Sequence, residues 1–270
     1  MSEHWYSRDG IPCHVQPTKS KTAKNPTRPT NIKDAIAQNL LPSVSAITRM
    51  LAAPGLVNWQ LGEVAKACFN APPIAGEEME EYVRNMVAKS KEGTGAAADL
   101  GTAIHAGIEA ELTGKPWDDY ELDGTRISLY VDAALVRLKS LGITVEAAER
   151  VLVNPWDGYA GTTDIVFTKG DHCGILDFKS KRTKPGVPVT PSETHSMQIA
   201  AYLAANWKKE KTAAAIKPNM YGVNMYISTT EPGRVEVVEY SYADLLAAWE
   251  DFQACAHLWR SQNAYDPRIT

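Results

Sequence analysis

Two hydrophobic periods divide the chain near residue 142. Over residues 32–91, apolar residues recur at helical spacing, with Ser43 and Ser45 available as N-caps and Pro54-Gly55 as a break, which predicts two or three helices. The Ala-rich segment 95–112 predicts another helix. A last helix is predicted over 124–141, ended by Gly142.

The later part of the chain alternates apolar and polar residues with period two. Segments 145–153, 160–168 and 173–180 are separated by turn sequences at 156–158 and 169–171, which predicts three neighbouring strands in a meander. The pattern then predicts a helix over 192–207, strands over 221–228 and 234–240, and a closing helix from 242 to about 259. Helices before and after central strands indicate an α/β or α+β sandwich.

The N-terminal segment has a different composition. Residues 16–33 contain five basic residues, no acidic residue and three prolines, so a packed helix or strand is not expected there. We expect a basic flexible arm over 1–33 and a single domain over 34–270, with a helical part (34–141) and a catalytic core (142–270). The arm is either a solvated leader or a segment that neutralises phosphates when nucleic acid is present.

Composition narrows the class of protein. A chain of 270 residues with 44% hydrophobic residues can bury a full core. There is no apolar run of membrane-spanning length and no signal peptide pattern, so a cytoplasmic location and no membrane partner are expected. The net charge of −4 leaves nucleic-acid binding to local charge. The four scattered cysteines form no CxxC pair, which indicates reduced thiols.

The candidate chemistry lies on the second and third predicted strands. Asp164 is in the middle of one strand, and Asp177 and Lys179 project from the same face of the next, because side chains two apart share a face. Two buried carboxylates beside a lysine are costly unless they are paired or bind a cation. Oxygen ligands of this kind suit Mg²⁺ or Mn²⁺. A surface Asp pair with a salt-bridging lysine remains the alternative interpretation.

Five short motifs occur in one order along the chain. They are residues 101–105 (GTAIH), Glu149 within 146–153 (EAAERVLV), residues 161–164 (GTTD), residues 177–179 (DFK) and residues 198–202 (QIAAY). In this order the chain resembles the PD-(D/E)XK nuclease superfamily, in the branch of the RecB nuclease domain, CRISPR-adaptation nucleases and phage exonucleases. Residues 41–60 also resemble the N-terminal helices of phage members.

The resemblance implies a restriction-endonuclease-like core with a central mixed β-sheet flanked by helices. It implies that His105, Asp164 and Asp177, with the carbonyl of Phe178, bind one or two Mg²⁺ or Mn²⁺ ions, and that Lys179 is catalytic. Glu149 is the expected acid of the first strand, with Glu146 as the alternative. Some relatives hold an iron–sulfur cluster, but here only Cys255 follows the nuclease motifs, so no cluster is expected.

Further residues are candidates for contact with DNA. Gln198 and Tyr202 are one helical turn apart, and the resemblance implies that they support the site or touch the DNA backbone. Lys181, Arg182 and Lys184 follow the catalytic lysine in a basic loop suited to phosphates. His195 and Glu193 are weaker candidates, by composition only.

The expected function is that of a metal-dependent DNA exonuclease of the phage, recombination or repair type. A structure-specific or sequence-specific endonuclease and a nucleic-acid-binding protein without catalysis are the alternatives. The expected partner is DNA, and a recombination or single-strand-binding protein and a second copy of the chain are further candidates. If the chain is phage-encoded, its expected location is the host cytoplasm.

Overall fold

The structure is a computed structural model that describes residues 4–18, 24–52, 54–122, 124–208 and 210–269, with the backbone alone at residues 54, 56 and 91–98. The helices are α1 (Ile32–Gln38), α2 (Val44–Thr48), α3 (Pro54–Asn70), α4 (Met79–Thr113), α5 (Ile127–Ser140), α6 (Glu193–Trp207) and α7 (Tyr242–Asn263). The strands are β1 (Trp5–Tyr6), β2 (Val15–Pro17), β3 (Thr27–Pro29), β4 (Leu41–Pro42), β5 (Glu121–Leu122), β6 (Thr125–Arg126), β7 (Thr144–Asn154), β8 (Tyr159–Lys169), β9 (His172–Lys181), β10 (Met220–Ser228) and β11 (Val235–Tyr240).

A five-stranded mixed sheet forms the centre of the fold, in the order β11-β10-β9-β8-β7. β7, β8 and β9 are antiparallel neighbours joined by tight turns in which Gly158 and Gly170 have positive φ, which confirms the predicted meander. β10 runs parallel to β9, and α6 makes the crossover between them. The predicted mixed α/β architecture with flanking helices is therefore confirmed.

Two apolar cores lie on opposite faces of this sheet. On one face, α6 and α7 pack against residues such as Val166 and Ile175. On the other face, α4 and α5 pack against residues such as Ile165 and Phe178. Because alternate residues of β8 and β9 enter different cores, the sheet is buried on both sides, and polar side chains within it need partners.

The prediction of an unpacked arm over residues 1–33 is wrong for its described part. Trp5 is fully buried against Trp259 of α7, with ring centroids 6.0 Å apart. The basic segment pairs β2 with β3, and α1 begins at Ile32 with a capping box between Asn31 and Asp34. The aromatic anchor upstream of the prolines supplies the apolar burial that the basic composition lacks. Residues 1–3 and 19–23 lie outside the described part.

The helical region also differs in one boundary. The segments predicted as separate helices before and after residue 95 form the single helix α4, because the glycines there weaken a helix by about 1 kcal/mol each without breaking it. Ser43 caps α2 as predicted. Among the described residues no helix has the length and apolar character needed to cross a membrane. All four cysteines are described, and all are free thiols.

Candidate active site where two strands separate

The site lies where β8 and β9 stop pairing. Their register runs from Lys169↔His172 to Ile165↔Leu176 and ends there. Asp164 and Asp177 are the next residue on each strand, so they are the first side chains beyond the last pair. Beyond this point β8 continues its ladder with β7 and also forms an isolated bridge from Ala160 to Ser43, whereas β9 continues its ladder with β10. The split leaves room between the strands for side chains of the flanking helices.

Asp164 binds the backbone of the neighbouring strand across this split. Its Oδ2 accepts a hydrogen bond of 2.6 Å from the Phe178 N–H, in place of a ladder bond. The same oxygen lies 3.9 Å from Nδ1 of His105 on α4. The structure thus brings these two predicted metal ligands together, with Phe178 beside them.

Asp177 and Lys179 begin a chain of polar contacts that leads into α6. Lys179 Nζ lies 2.6 Å from Asp177 Oδ2 and donates a hydrogen bond of 2.8 Å to Gln198 Oε1. Gln198 Nε2 in turn donates to the Tyr202 hydroxyl at 3.2 Å. The two motifs DFK and QIAAY are therefore one connected unit in which Gln198 fixes the ammonium group. Asp177 is 3% exposed, so the pair is largely shielded from water.

A buried polar layer supports Asp177 from behind. Asn224 of β10 is fully buried, and its Nδ2 lies 3.3 Å from both the backbone oxygen and Oδ2 of Asp177. The Tyr240 hydroxyl of β11 donates to Asn224 Oδ1 at 2.8 Å. Every polar group in this layer is partnered, which fixes the orientation of the carboxylate.

The electrostatics of the site favour a cation. Burial, followed by the charge of Asp177, raises the pKa of Asp164 well above its usual range. Burial, followed by the charge of Glu109, raises the pKa of Glu149. Burial lowers the pKa of His105, which therefore presents a neutral imidazole, the form that binds metals, at neutral pH. The acids are thus held in a region where their negative charge is under-compensated.

Glu149 occupies a strained point of β7. The register places it opposite Asp164, between the pairs Ala148↔Ile165 and Arg150↔Thr163, and its φ of 49° lies in the left-handed region. Such a backbone costs about 1–3 kcal/mol in a residue with a side chain, and it turns the carboxylate into the cleft. Glu146, the alternative, sits at the register shift of β7, is exposed and lies outside the cleft.

A cleft of about 1000 Å³ opens beside His105, Glu149 and Asp164, whereas Asp177 and Lys179 lie behind its lining. Its lining residues come from α3, α4, β7, β8, the end of β9 and the β10–β11 turn, and are Trp59, Gly101, Thr102, His105, Ala106, Glu109, Glu149, Asp164, Ser180, Lys181, Arg182 and Thr229. The lining therefore combines three acids, Glu109, Glu149 and Asp164, with the basic residues Lys181 and Arg182. Such a mixture of charges suits an anionic ligand whose charge is bridged to the acids by a cation.

Two glycines of the sequence motifs allow close approach of helices to the sheet. A Cβ on Gly101 would lie 2.6 Å from Ser180 Oγ, so α4 can press against β9 and place His105 one turn further along. A Cβ on Gly161 would lie 2.8 Å from the Tyr202 ring, so the ring of Tyr202 can pack directly on the backbone of β8. The motifs at 101–105 and 161–164 thus owe their glycines to contacts with other motifs.

Some predicted residues lie apart from this centre. Lys184 is exposed and does not line the cleft, although its carbonyl accepts from Arg234 at 2.8 Å. His195 is engaged with the Tyr226 hydroxyl at 2.7 Å, and burial lowers its pKa to about 4. Glu193 lines a different pocket. Within the described part of the chain, no group of three or more His, Cys, Asp or Glu side chains is close enough to hold a metal ion.

The sequence prediction missed three contributors. Asn224 interrupts the apolar strand MYGVNMYIS, and a lone amide in such a strand signals a buried hydrogen-bond partner. Glu109 lies four residues after His105 and therefore shares its helical face, which is the sequence signal for its place in the cleft. Trp59 reaches the cleft from α3, and nothing in the local sequence indicates this long-range placement.

Comparisons with known proteins do not assign a family. No family model matches the chain, and no curated protein matches it. A solved structure described as "Crystal structure of SSO0001" is 20% identical, with 50% of this chain and 58% of that chain covered and a TM-score of 0.25. The match thus spans little more than half of that protein's length, and a similarity this low carries no argument about fold or function.

Proposed function

We propose that the chain is a metal-dependent deoxyribonuclease with a restriction-endonuclease-like core that hydrolyses phosphodiester bonds, acting as an exonuclease in phage biology, recombination or repair. The observation that carries this proposal is the convergence of Asp164, Asp177 and Lys179 at the point where β8 and β9 separate, with His105 of α4 beside Asp164. Buried acids can hold a divalent ion for phosphodiester hydrolysis, a fixed ammonium group can stabilise developing charge, and a neutral imidazole can add a ligand.

The donor set fits Mg²⁺ or Mn²⁺ in type and in charge. Asp164, Asp177 and Glu149 offer carboxylate oxygens, Phe178 a carbonyl, and His105 an uncharged ring nitrogen. The raised pKa of Asp164 supports the fit, because a cation is what its buried carboxylate lacks. The residues fit an ion by the chemistry of their donor atoms. Asp177 is paired with Lys179, and no group of three ligand residues is assembled among the described residues. Such an ion would supply Lewis-acid activation of the phosphate and of water.

The chain's own residues have separate tasks in this proposal. Lys179, held by Gln198 and Asp177, places an ammonium group where it stabilises charge that develops on the phosphate oxygens or orients the attacking water. Lys181 and Arg182 line the cleft and bind flanking phosphates. Asn224 keeps Asp177 oriented, so that the carboxylate does not reorganise during the reaction.

A catalytically inactive nucleic-acid-binding protein is the second candidate. The ion pair between Lys179 and Asp177 favours it, because at 2.6 Å this contact already satisfies the carboxylate without an ion. An endonuclease uses the same centre as an exonuclease, so the two modes are separated by substrate rather than by any contact in the site.

The test is digestion of end-labelled linear DNA, single-stranded and double-stranded, with Mn²⁺ or Mg²⁺ and with EDTA. We expect cleavage that EDTA abolishes and that Asp177→Asn and Lys179→Gln each remove, with closed circular DNA left intact. Asp171→Asn, in the turn at the far end of β8 and β9, is the matched control and keeps activity. Cleavage of closed circles would replace the exonuclease by an endonuclease. Hydrolysis by purified Asp177→Asn would contradict the assignment of the site.

A further inference from the structure

The cleft contains an aromatic side chain, Trp59, that has no role in the proposed hydrolysis. Trp59 of α3 lines the cleft together with His105, Lys181 and Arg182, and it is 38% exposed. Trp59 therefore offers the flat apolar face of an indole beside the charged side chains of the cleft, where a ligand that enters the cleft can contact it.

The other surroundings of Trp59 make it a supported surface. The indole also borders a second pocket of about 310 Å³, whose lining includes the aliphatic residues Val57, Leu61, Val64 and Val87 of α3 and α4. Trp59 therefore lies between an apolar part of the surface of α3 and α4 and the charged groups of the cleft. An indole has two side-chain torsions, so it loses little conformational freedom on binding a flat partner.

The charged residues of the cleft indicate which kind of flat ligand would contact Trp59. Lys181 and Arg182, at the end of β9, form a basic section of the same cleft. A basic track combined with an aromatic side chain is the arrangement that binds single-stranded nucleic acid, because phosphates pair with the cations and an unpaired base stacks on the ring. In a duplex the base faces are stacked on one another, and a protein meets mainly phosphates and groove edges.

We propose that Trp59 is the stacking platform for an unpaired base, so that the cleft takes single-stranded DNA, with the phosphates of that strand lying along Lys181 and Arg182. This inference rests on the proposed function for the identity of the cleft as a DNA site, and it adds the strand preference that the hydrolytic residues do not define. Trp59 is a binding residue in this scheme and takes no part in the hydrolysis.

Binding in EDTA tests the inference without cleavage. Fluorescence anisotropy would compare a fluorescein-labelled oligo-dT with a blunt hairpin duplex, for the full chain and its variants. Trp59→Ala should weaken oligo-dT binding by roughly 5- to 100-fold, the effect of losing one stacked base, and leave duplex binding unchanged. Trp59→Phe should retain most of the affinity because a phenyl ring still stacks. Phe69→Ala is the matched control, since Phe69 lies on the same helix, is 88% exposed and does not line the cleft.

A spectroscopic measurement separates stacking from a structural role. Oligo-dT should quench tryptophan fluorescence in the wild type, and Trp59→Phe should remove that quenching although six of the seven tryptophans remain. Unchanged oligo-dT affinity in Trp59→Ala, an equal loss for oligo-dT and duplex, or quenching that persists in Trp59→Phe would each overturn the inference. Stacking without any Mn²⁺-dependent cleavage would refute the proposed hydrolysis alone, whereas cleavage with unaltered binding by Trp59→Ala would refute only the role of Trp59.

Discussion

Replacing Asp164 with Asn is expected to stabilise the protein when no divalent ion is present. The amide keeps an oxygen that can accept from the Phe178 N–H, now 2.6 Å from Oδ2, so the main change is the loss of charge. That charge is unfavourable in the folded state, because burial and the neighbouring Asp177 raise the pKa of Asp164 well above its usual range.

The magnitude follows from two opposing effects. Changing a charged acceptor to a neutral one weakens the hydrogen bond from Phe178 by about 1 kcal/mol. Removing a buried, under-compensated carboxylate recovers part of a desolvation penalty of several kcal/mol. The net gain should be about 1–2 kcal/mol, which for a chain of this size raises Tm by roughly 2–8 °C.

Divalent ions should reverse this order of stability. An ion present at about 100 times its Kd adds about 2.7 kcal/mol to the folded state that binds it, or roughly 5–10 °C in Tm. The wild type should gain this stabilisation in Mn²⁺, and Asp164→Asn should gain little of it, because the variant lacks one ligand.

The assay is thermal unfolding in EDTA and across a Mn²⁺ titration. Asp244→Asn is a control of opposite sign, because hydrogen bonds from Ser241 lower the pKa of Asp244 and its charge favours the fold; this variant should melt lower in either buffer. A lower Tm of Asp164→Asn than of the wild type in EDTA would refute the electrostatic reasoning. An equal rise of both in Mn²⁺ would refute the role of Asp164 as a ligand.

Two further substitutions test the supports of the site. Lys179→Met should lower the free energy of unfolding by about 3 kcal/mol, because it leaves the buried Asp177 carboxylate without its cation. Adding Asp177→Asn to the same chain should restore most of that loss. Urea unfolding of the single and double variants measures both effects, and a Lys179→Met variant as stable as the wild type would contradict the reasoning. Gly161→Ala should lower the free energy of unfolding by about 1–3 kcal/mol and reduce cleavage, since its Cβ would meet the Tyr202 ring. Gly62→Ala on α3 is the control: nothing lies within 4 Å of its Cβ, so it should raise the free energy of unfolding by up to about 1 kcal/mol. Equal effects at the two glycines would rule out the steric explanation.

The sequence predicts the core elements because their signals are local. Period-two alternation and Gly-containing turns define β7, β8 and β9 within a few residues of the observed bounds, and the parity of Asp177 and Lys179 along β9 follows directly. Ser43 as an N-cap is local chemistry of the same kind. The prediction of an unpacked N-terminal arm is wrong for the opposite reason. The packing of this segment depends on the contact of Trp5 with Trp259, which lies near the other end of the sequence.

The chemical environment of the site depends on contacts between distant parts of the sequence, which the spacing of residues does not predict. The pairing of β8 and β9 could be predicted, but its end at Ile165↔Leu176, which frees Asp164, could not. The hydrogen bonds of Asn224 with Asp177 and Tyr240 join three strands, and periodicity predicts the strands without their side-chain partners. The position of the acids and of Lys179 on neighbouring strands was therefore predictable, and the buried side chains that hydrogen-bond to Asp177 were not.

The glycine contacts supply a physical reason for several motifs to occur together. Gly101 is required where α4 meets Ser180, the residue after Lys179, and Gly161 is required where β8 meets Tyr202 of α6. Tyr202 binds Gln198, and Gln198 holds the ammonium group of Lys179. Gly161, Tyr202, Gln198 and Lys179 thus link three of the motifs through direct contacts, and Gly101 packs on the residue that follows the DFK motif, so a DFK triplet alone would lack the packing that orients its lysine. The co-occurrence of these short patterns carries more information than any of them singly because it reports this shared packing.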